Sequence, residues 1–378
     1  MPEIREKIAA ATAGGKPLSF AQFMQWALYC PVYGYYDKEG DSIGRQGDFY
    51  TSVSVGPLFG QLLAAQFAAW LEESFRVASS PENPLHVVEA GAHRGHLARD
   101  ILTWLQQYRP LLFSRLQYWI VEPSARGRTW QEQTLAAFQD RVRWAAEIEH
   151  VAGGRARGVV FANELLDALP VHRFGWDAAR RAWFEWGVAV RDDRLVWTRM
   201  SPSFDPAPDA PHELLAVLPD GFTLERCPAA EAWWRRAATV LDTGSRLLTF
   251  DYGGCEEDFW RPERPAGTLR AFRGHRQQPD LLKDPGHQDL TADVNFSRVE
   301  AAGRAAGLRT ETFSTQQDFL TRIAGRLWQG QLASHPWTQE HTRQFQTLTH
   351  PEHLGRAFRV LVQQRAACPP AHCGASSS

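Results

Sequence analysis

The sequence predicts an α/β fold built on an open, parallel sheet. Three observations carry that prediction. Short apolar runs at 85–88, 118–121, 159–162 and 247–250 read as strands. Each ends in a polar or acidic residue: Glu89, Glu122, Asn163 with Glu164, and Asp251. The runs are mostly apolar, as strands covered on both faces require, and helical periodicity (Leu97, Ile101, Leu102, Leu105, Tyr108) lies between the first two. In such sheets ligands sit in the crevice at the carboxyl ends of the strands.

The elements follow in order. Residues 1–80 read as a helical region. Ser19 with Gln22 fits a capping box, and Phe20, Phe23, Met24, Ala27 and Leu28 then recur at helical spacing. A second amphipathic run extends from Leu58 to Leu71, and the loop from Pro31 to Val55 between them is rich in Gly, Asp, Ser and Tyr. Residues 81–170 form the first part of the sheet. Residues 171–199 alternate like a β-meander inserted in the sheet's crossover, 201–221 read as loop, and the insertion as a whole takes 171–240. The sheet resumes over 241–365. There Ser297 and Glu300 start a helix that stops at Gly307, and 308–313 and 358–362 are two further strands that suit an antiparallel strand at the sheet's edge. The tail, 366–378, is small and polar and is expected to be disordered.

Composition narrows the function classes. The 378 residues suggest two domains, or one with a large insertion, and 44% are apolar, enough for a full core. The net charge of -2 lacks the basic excess of a nucleic-acid binder. No apolar run approaches the roughly 20 residues that span a bilayer, and Met1 to Arg5 does not open a secretion signal. Five scattered cysteines imply no disulfide framework, so a reducing, cytoplasmic setting is expected. Cys368, His372 and Cys373 resemble half a metal site with no second half nearby, and no metal is expected. Fifteen Trp supply material for core or interfaces.

The strongest local signal is Val88-Glu89-Ala90-Gly91-Ala92-His93-Arg94-Gly95. Gly91 and Gly95 allow a tight turn and a close approach of backbone to ligand. Glu89 stands where it can bond a ligand amine or hydroxyl. The spacing is not G-x-G-x-x-G, which argues against a dinucleotide, and no G-K-[ST] follows for a P-loop. Glu122, 31 residues after Gly91, suits the two hydroxyls of a ribose. In Asn163 to Pro170, Glu164 and Asp167 are three apart and would share a face on a helical turn, where two carboxylates can grip a guanidinium. The same acids equally suit a plain helix N-terminus. Gly47 to Ser52 combines Asp48, Thr51 and Ser52 in a loop that suits a lid, and 274–291 is a second candidate loop whose histidines read as solvated.

Taken together these segments resemble the MidA family. The resemblance runs from Phe20-Ala21-Gln22-Phe23-Met24 and Tyr33-Gly34-Tyr35-Tyr36 through Gly47–Ser52, Glu89–Asp100, Ala162–Pro170, Asp251-Tyr252-Gly253 and Gly267–Arg270 to Thr315–Leu320, and covers roughly residues 17–363. It implies a class I methyltransferase fold: a Rossmann-like, seven-stranded, mostly parallel sheet with an antiparallel edge strand and a helical N-terminal addition. It implies S-adenosylmethionine as cofactor and dimethylation of an arginine in a respiratory complex I subunit as activity. On that reading Glu89, Gly91, Ala92, His93, Gly95, Glu122, Asn163, Thr51 and Ser52 serve the cofactor, and Glu164, Asp167 and Asp48 serve the acceptor. Two departures stand out. His93 replaces the middle glycine of the family's Gly-x-Gly-x-Gly turn, and Thr291–Phe296 carries Asp293 and Asn295 where the family segment resembles Thr-Ala-His-Val-Asp-Phe. The alternatives are a methyltransferase fold impaired at its cofactor site and kept as an assembly scaffold, and a nicotinamide oxidoreductase.

Overall fold

The computed structural model describes residues 4–38, 51–77, 84–203, 208, 210, 212–274, 276–329 and 337–366, with side chains at 74–77 and 212 excepted. Gly47–Tyr50 of the expected lid, with Asp48 among them, His275 and the tail from 367 lie outside the described residues. The strands in chain order are β1 (Leu18–Ser19), β2 (Leu85–Ala90), β3 (Leu116–Val121), β4 (Val142–Ala145), β5 (Gly158–Asn163), β6 (His172–Asp177), β7 (Ala182–Arg191), β8 (Arg194–Met200), β9 (Thr223–Arg226), β10 (Arg246–Gly254), β11 (Arg270–Arg273), β12 (Arg276–Gln278), β13 (Asp289–Thr291), β14 (Val294–Asn295), β15 (Leu308–Thr315) and β16 (Phe358–Arg365).

Seven strands make the central sheet, in the order β15-β16-β10-β5-β2-β3-β4, and the short β14 pairs with β10. β10, β5, β2, β3 and β4 are mutually parallel. β16 is antiparallel to both of its neighbours, β10 and β15. The antiparallel strand therefore lies one place in from the edge, and β15 takes the edge itself. From β2 the chain steps outward through β3 to β4, then returns to β5 on the other side of β2. The switch point falls between β2 and β5, where this class of sheet opens a crevice.

Each face of the sheet is covered. Val87, Tyr118, Val159 and Phe161 pack with helix Leu58–Val77, helix His96–Tyr108 and helix Gln316–Trp328. Val88, Val160, Ala162 and Leu247 pack with helix Pro228–Thr239 and helix Phe296–Ala305. This double coverage explains the mostly apolar runs. β4 escapes the apolar pattern because Arg143 is exposed and only Val142 and Ala145 are buried.

The meander is present as β6-β7-β8, with β9 joining β6 and the N-terminal β1 joining β7. The N-terminal region is thus tied into the second sheet by Leu18 opposite Val188 and Ser19 opposite Gly187. Ser19 caps helix Phe20–Tyr29, accepting from the Gln22 N–H. Helix Phe296–Ala305 is capped two residues earlier than expected: Asn295 accepts from the Arg298 N–H, while Ser297 Oγ accepts from the Glu256 N–H. The stretch expected as loop over 201–221 contains a short helix, His212–Val217. The candidate loop over 274–291 contains β12 and β13, which flank β11 in a three-stranded sheet, while 279–288 between them is turn and bend.

Candidate active site

The turn after β2 folds as its glycines dictate. Gly91 and Gly95 take φ +74° and +80°, and the Gly95 N–H bonds the Ala92 carbonyl at 2.7 Å. A Cβ on Gly91 would stand 3.0 Å from Leu165 Cδ1, which belongs to the turn after β5. His93 also has positive φ, +46°, a conformation that costs a side chain-bearing residue about 1 kcal/mol. Its ring lies beside Trp130, centroids 6.4 Å apart, and the Arg94 guanidinium covers the same indole at 4.8 Å.

Glu89 is 2% exposed and accepts a 2.6 Å hydrogen bond from the Tyr118 hydroxyl. Burial, reinforced by Asp100, pushes its carboxyl up to about 7 despite that bond. Glu122 is held by two donors: Ser124 N–H at 2.9 Å and Gln131 Nε2 at 2.8 Å. Gln131 is fully buried and is the hub of this wall, donating also to the His93 carbonyl at 2.9 Å and accepting from Trp144 Nε1 at 2.9 Å. Burial raises Glu122 as well. The N-terminal region closes the wall, since Asp37 accepts from Ser124 Oγ at 2.8 Å.

The turn after β5 departs from expectation. Residues 164–170 are not helical, and Glu164 has φ +52°. The Leu166 N–H bonds Asp251 Oδ2 at 2.8 Å instead of a helical carbonyl, and Pro170 forbids continuation. Neither the shared helical face nor the helix N-terminus describes this segment. The turn nevertheless brings Glu164, Asp167 and Asp251 into one electrostatic cluster. Glu164 Oε1 accepts from Asn163 Nδ2 at 3.0 Å and from the Ser52 N–H at 3.3 Å. Burial, then Asp167, lifts Glu164 to about 8. Burial raises both Asp167 and Asp251, and the two carboxyls interact directly. Arg270, which bridges Asp293, pulls Asp167 the other way.

Thr51 and Ser52 stand on the Glu164 side. Thr51 caps helix Ser52–Val55, and Ser52 is fully buried with Oγ bonded to Gln316 Oε1 at 3.1 Å. Sequence reasoning missed several members of this constellation. Tyr118, Gln131, Asp251, Asp289 and Arg270 were not singled out as site residues, although Asp251 carries the same strand-end signature as Glu89 and Glu122. Tyr36 bonds Asp289 Oδ1 at 2.9 Å, and Tyr29 bonds the Ala168 carbonyl at 2.9 Å. His287, in the second candidate loop, is exposed, as a solvated residue should be.

Two strand-end acids, a glycine turn and a wall centred on Gln131 flank the switch point. Residues 62–314 match the family model described as a putative S-adenosyl-L-methionine-dependent methyltransferase. The chain belongs to that family. A COG1565 superfamily member from Burkholderia thailandensis, solved bound to S-adenosyl-homocysteine, is 31% identical, with a TM-score of 0.81 over 96% of this chain and 92% of that one. Relatives named protein arginine methyltransferase NDUFAF7, mitochondrial, include the human protein (28% identical; 92% of this chain, 80% of that protein). The Drosophila melanogaster homologue is 29% identical over 95% of this chain and 84% of its own length. The protein is therefore an S-adenosylmethionine-dependent methyltransferase, which sets aside the nicotinamide reading. The expected cytoplasmic setting is corrected, because these relatives are named as mitochondrial. The three cysteines among the described residues are unpaired, but free thiols do not select a compartment. The residues present fit the cofactor: the methyltransferase offers positive-φ glycines where its backbone must be approached, and acids at the ends of two neighbouring strands.

Proposed function

We propose that the methyltransferase modifies an arginine side chain of a protein. One observation carries the reading. At the switch point, half-buried Glu164 and the buried Asp167–Asp251 pair form an acid cluster whose members hold protons more tightly than ordinary carboxyls. A guanidinium stays protonated at any working pH, and acids enclosed in this way suit it. The names of the relatives, protein arginine methyltransferases, support the same acceptor. The respiratory complex I subunit implied by the family resemblance is the first protein to try.

S-adenosylmethionine supplies an electrophilic methyl group. Gly91 and Gly95, with Ala92 and His93 between them, admit its backbone-like portion, Glu89 takes its ammonium, and Glu122 takes its ribose hydroxyls. Glu164 and Asp167 orient the guanidinium. As the nitrogen gains a carbon substituent it loses a proton, and Glu164 accepts that proton at its carboxylate. A carboxyl lifted to about 8 is matched to this transfer near neutral pH. Thr51 and Ser52 fix Glu164 from the N-terminal side. Asp48 is a third carboxylate on this reading, from the loop outside the described residues. Positioning and exclusion of water supply most of the rate.

The test is Glu164→Gln. It abolishes methylarginine formation and leaves S-adenosylhomocysteine affinity within about threefold, well under 1 kcal/mol. Unchanged turnover overturns the assignment.

A further inference from the structure

Asn163 closes β5 at the switch point. Glu89 is opposite Phe161 in the register of β2 and β5. Phe161 packs on the same sheet face as Val87, and the alternation of side chains puts Glu89 and Asn163 on that face too. The amide of Asn163 is fixed by one bond, Nδ2 to Glu164 Oε1 at 3.0 Å. Its Oδ1 is buried and has no hydrogen-bond partner among the described residues. A buried acceptor left in this state is costly, and a donor brought by a ligand removes the cost. Glu164 completes the picture. Its Oε1 is taken by Asn163 and Ser52, while Oε2 takes no hydrogen bond among the described residues. Neighbouring residues thus offer two open acceptors, one neutral and one acidic.

We propose that Asn163 contacts the methyl acceptor, with Oδ1 receiving one N–H of the guanidinium whose other N–H groups face Glu164. The inference rests on the arginine reading above, and it moves Asn163 from the cofactor to the acceptor. The division of labour follows from chemistry. An amide oxygen accepts an N–H without adding charge and without taking the proton. Asn163 therefore orients, and the proton goes to Glu164. A guanidinium is a planar fork of donors and matches two acceptors presented side by side.

The experiment compares wild type, Asn163→Ala and Asn163→Asp. S-adenosylhomocysteine affinity is measured by calorimetry, which also reports that each variant is folded. Transfer is measured from tritiated S-adenosylmethionine into a lysate of the host strain deleted for this gene, followed by hydrolysis and chromatography of the labelled amino acids. Asn163→Ala is expected to bind S-adenosylhomocysteine within about twofold of wild type and to form methylarginine at least about tenfold more slowly. Asn163→Asp keeps an oxygen acceptor and loses the donor to Glu164, so it retains more activity than Asn163→Ala, with its rate limb moved to higher pH. Loss of S-adenosylhomocysteine affinity in step with activity makes Asn163 a cofactor residue and overturns the proposal. Equal slowing of both variants reduces it to a support for Glu164 and overturns it too. Wild-type label in a residue other than arginine overturns the arginine reading separately, while the comparison of variants still decides whether Asn163 touches the acceptor.

Discussion

Replacing Glu89 by Gln tests the electrostatics of the cofactor wall directly. The Glu89 carboxyl is lifted in the folded protein to about 7, from an ordinary value of 4.5. Below that ordinary value both folded and unfolded states hold the proton, and the group costs nothing. Between it and about 7 the unfolded chain ionises while the folded protein keeps its proton, so stability falls as pH rises. Above about 7 the loss is complete, at about 3 kcal/mol. Glutamine has no proton to lose and still accepts from the Tyr118 hydroxyl. The stability of Glu89→Gln relative to wild type therefore increases by about 2–3 kcal/mol between pH 5 and 8.5. Urea unfolding of both proteins at several pH values measures it, since every other titrating group cancels in the difference. A pH-independent difference refutes the reasoning. The same carboxyl must ionise to hold an ammonium, so wild-type affinity for S-adenosylhomocysteine rises with pH through about 7, and that of the variant is weak and flat.

Other perturbations separate the remaining parts of the site. His93→Gly removes the cost of φ +46° and stabilises the protein by about 1 kcal/mol or less, measured by denaturant unfolding. Because the His93 ring packs by Trp130, S-adenosylhomocysteine affinity changes less than about threefold, well under 1 kcal/mol. A variant that binds more than tenfold tighter (about 1.4 kcal/mol) would mean that His93 obstructs the cofactor, as the scaffold alternative requires. Gln131→Leu strands Glu122, the His93 carbonyl and Trp144 Nε1, so it lowers stability by about 2–4 kcal/mol and weakens cofactor binding in calorimetry. With Glu164 lifted to about 8, kcat/KM of the free enzyme climbs with pH toward that value, and a flat profile from pH 6 to 9 removes Glu164 from the proton transfer.

The parts of this fold that were legible in the sequence share one physical cause. β2, β3, β5 and β10 are buried on both faces, so they appear as mostly apolar runs, and their carboxyl ends appear as the acids that follow. The Gly91 and Gly95 turn was legible because few other residues take those backbone angles freely. β4 was not legible, since an exposed Arg143 interrupts a four-residue strand at the sheet's edge. The geometry of Glu164 and Asp167 was misread for a different reason. Spacing predicts a helical face, but Asp251, far along the chain, takes the Leu166 N–H and holds the turn open. Gln131 was invisible because its three partners come from three separate segments. Such networks are written in tertiary structure, and no local period announces them.

The position of β16 bears on how the enzyme comes into being. It follows every other element of the central sheet in chain order, yet it sits between β10 and β15. Until it has left the ribosome, β10 presents an unpaired edge and β15 has no neighbour. β10 also carries Asp251, which holds the turn after β5 through the Leu166 N–H. A polypeptide that lacks β16 therefore exposes an unpaired strand edge on the strand that holds the turn after β5. Completion of the sheet beneath the site therefore waits for β16, and a chain cut before Phe358 keeps the β10 edge open.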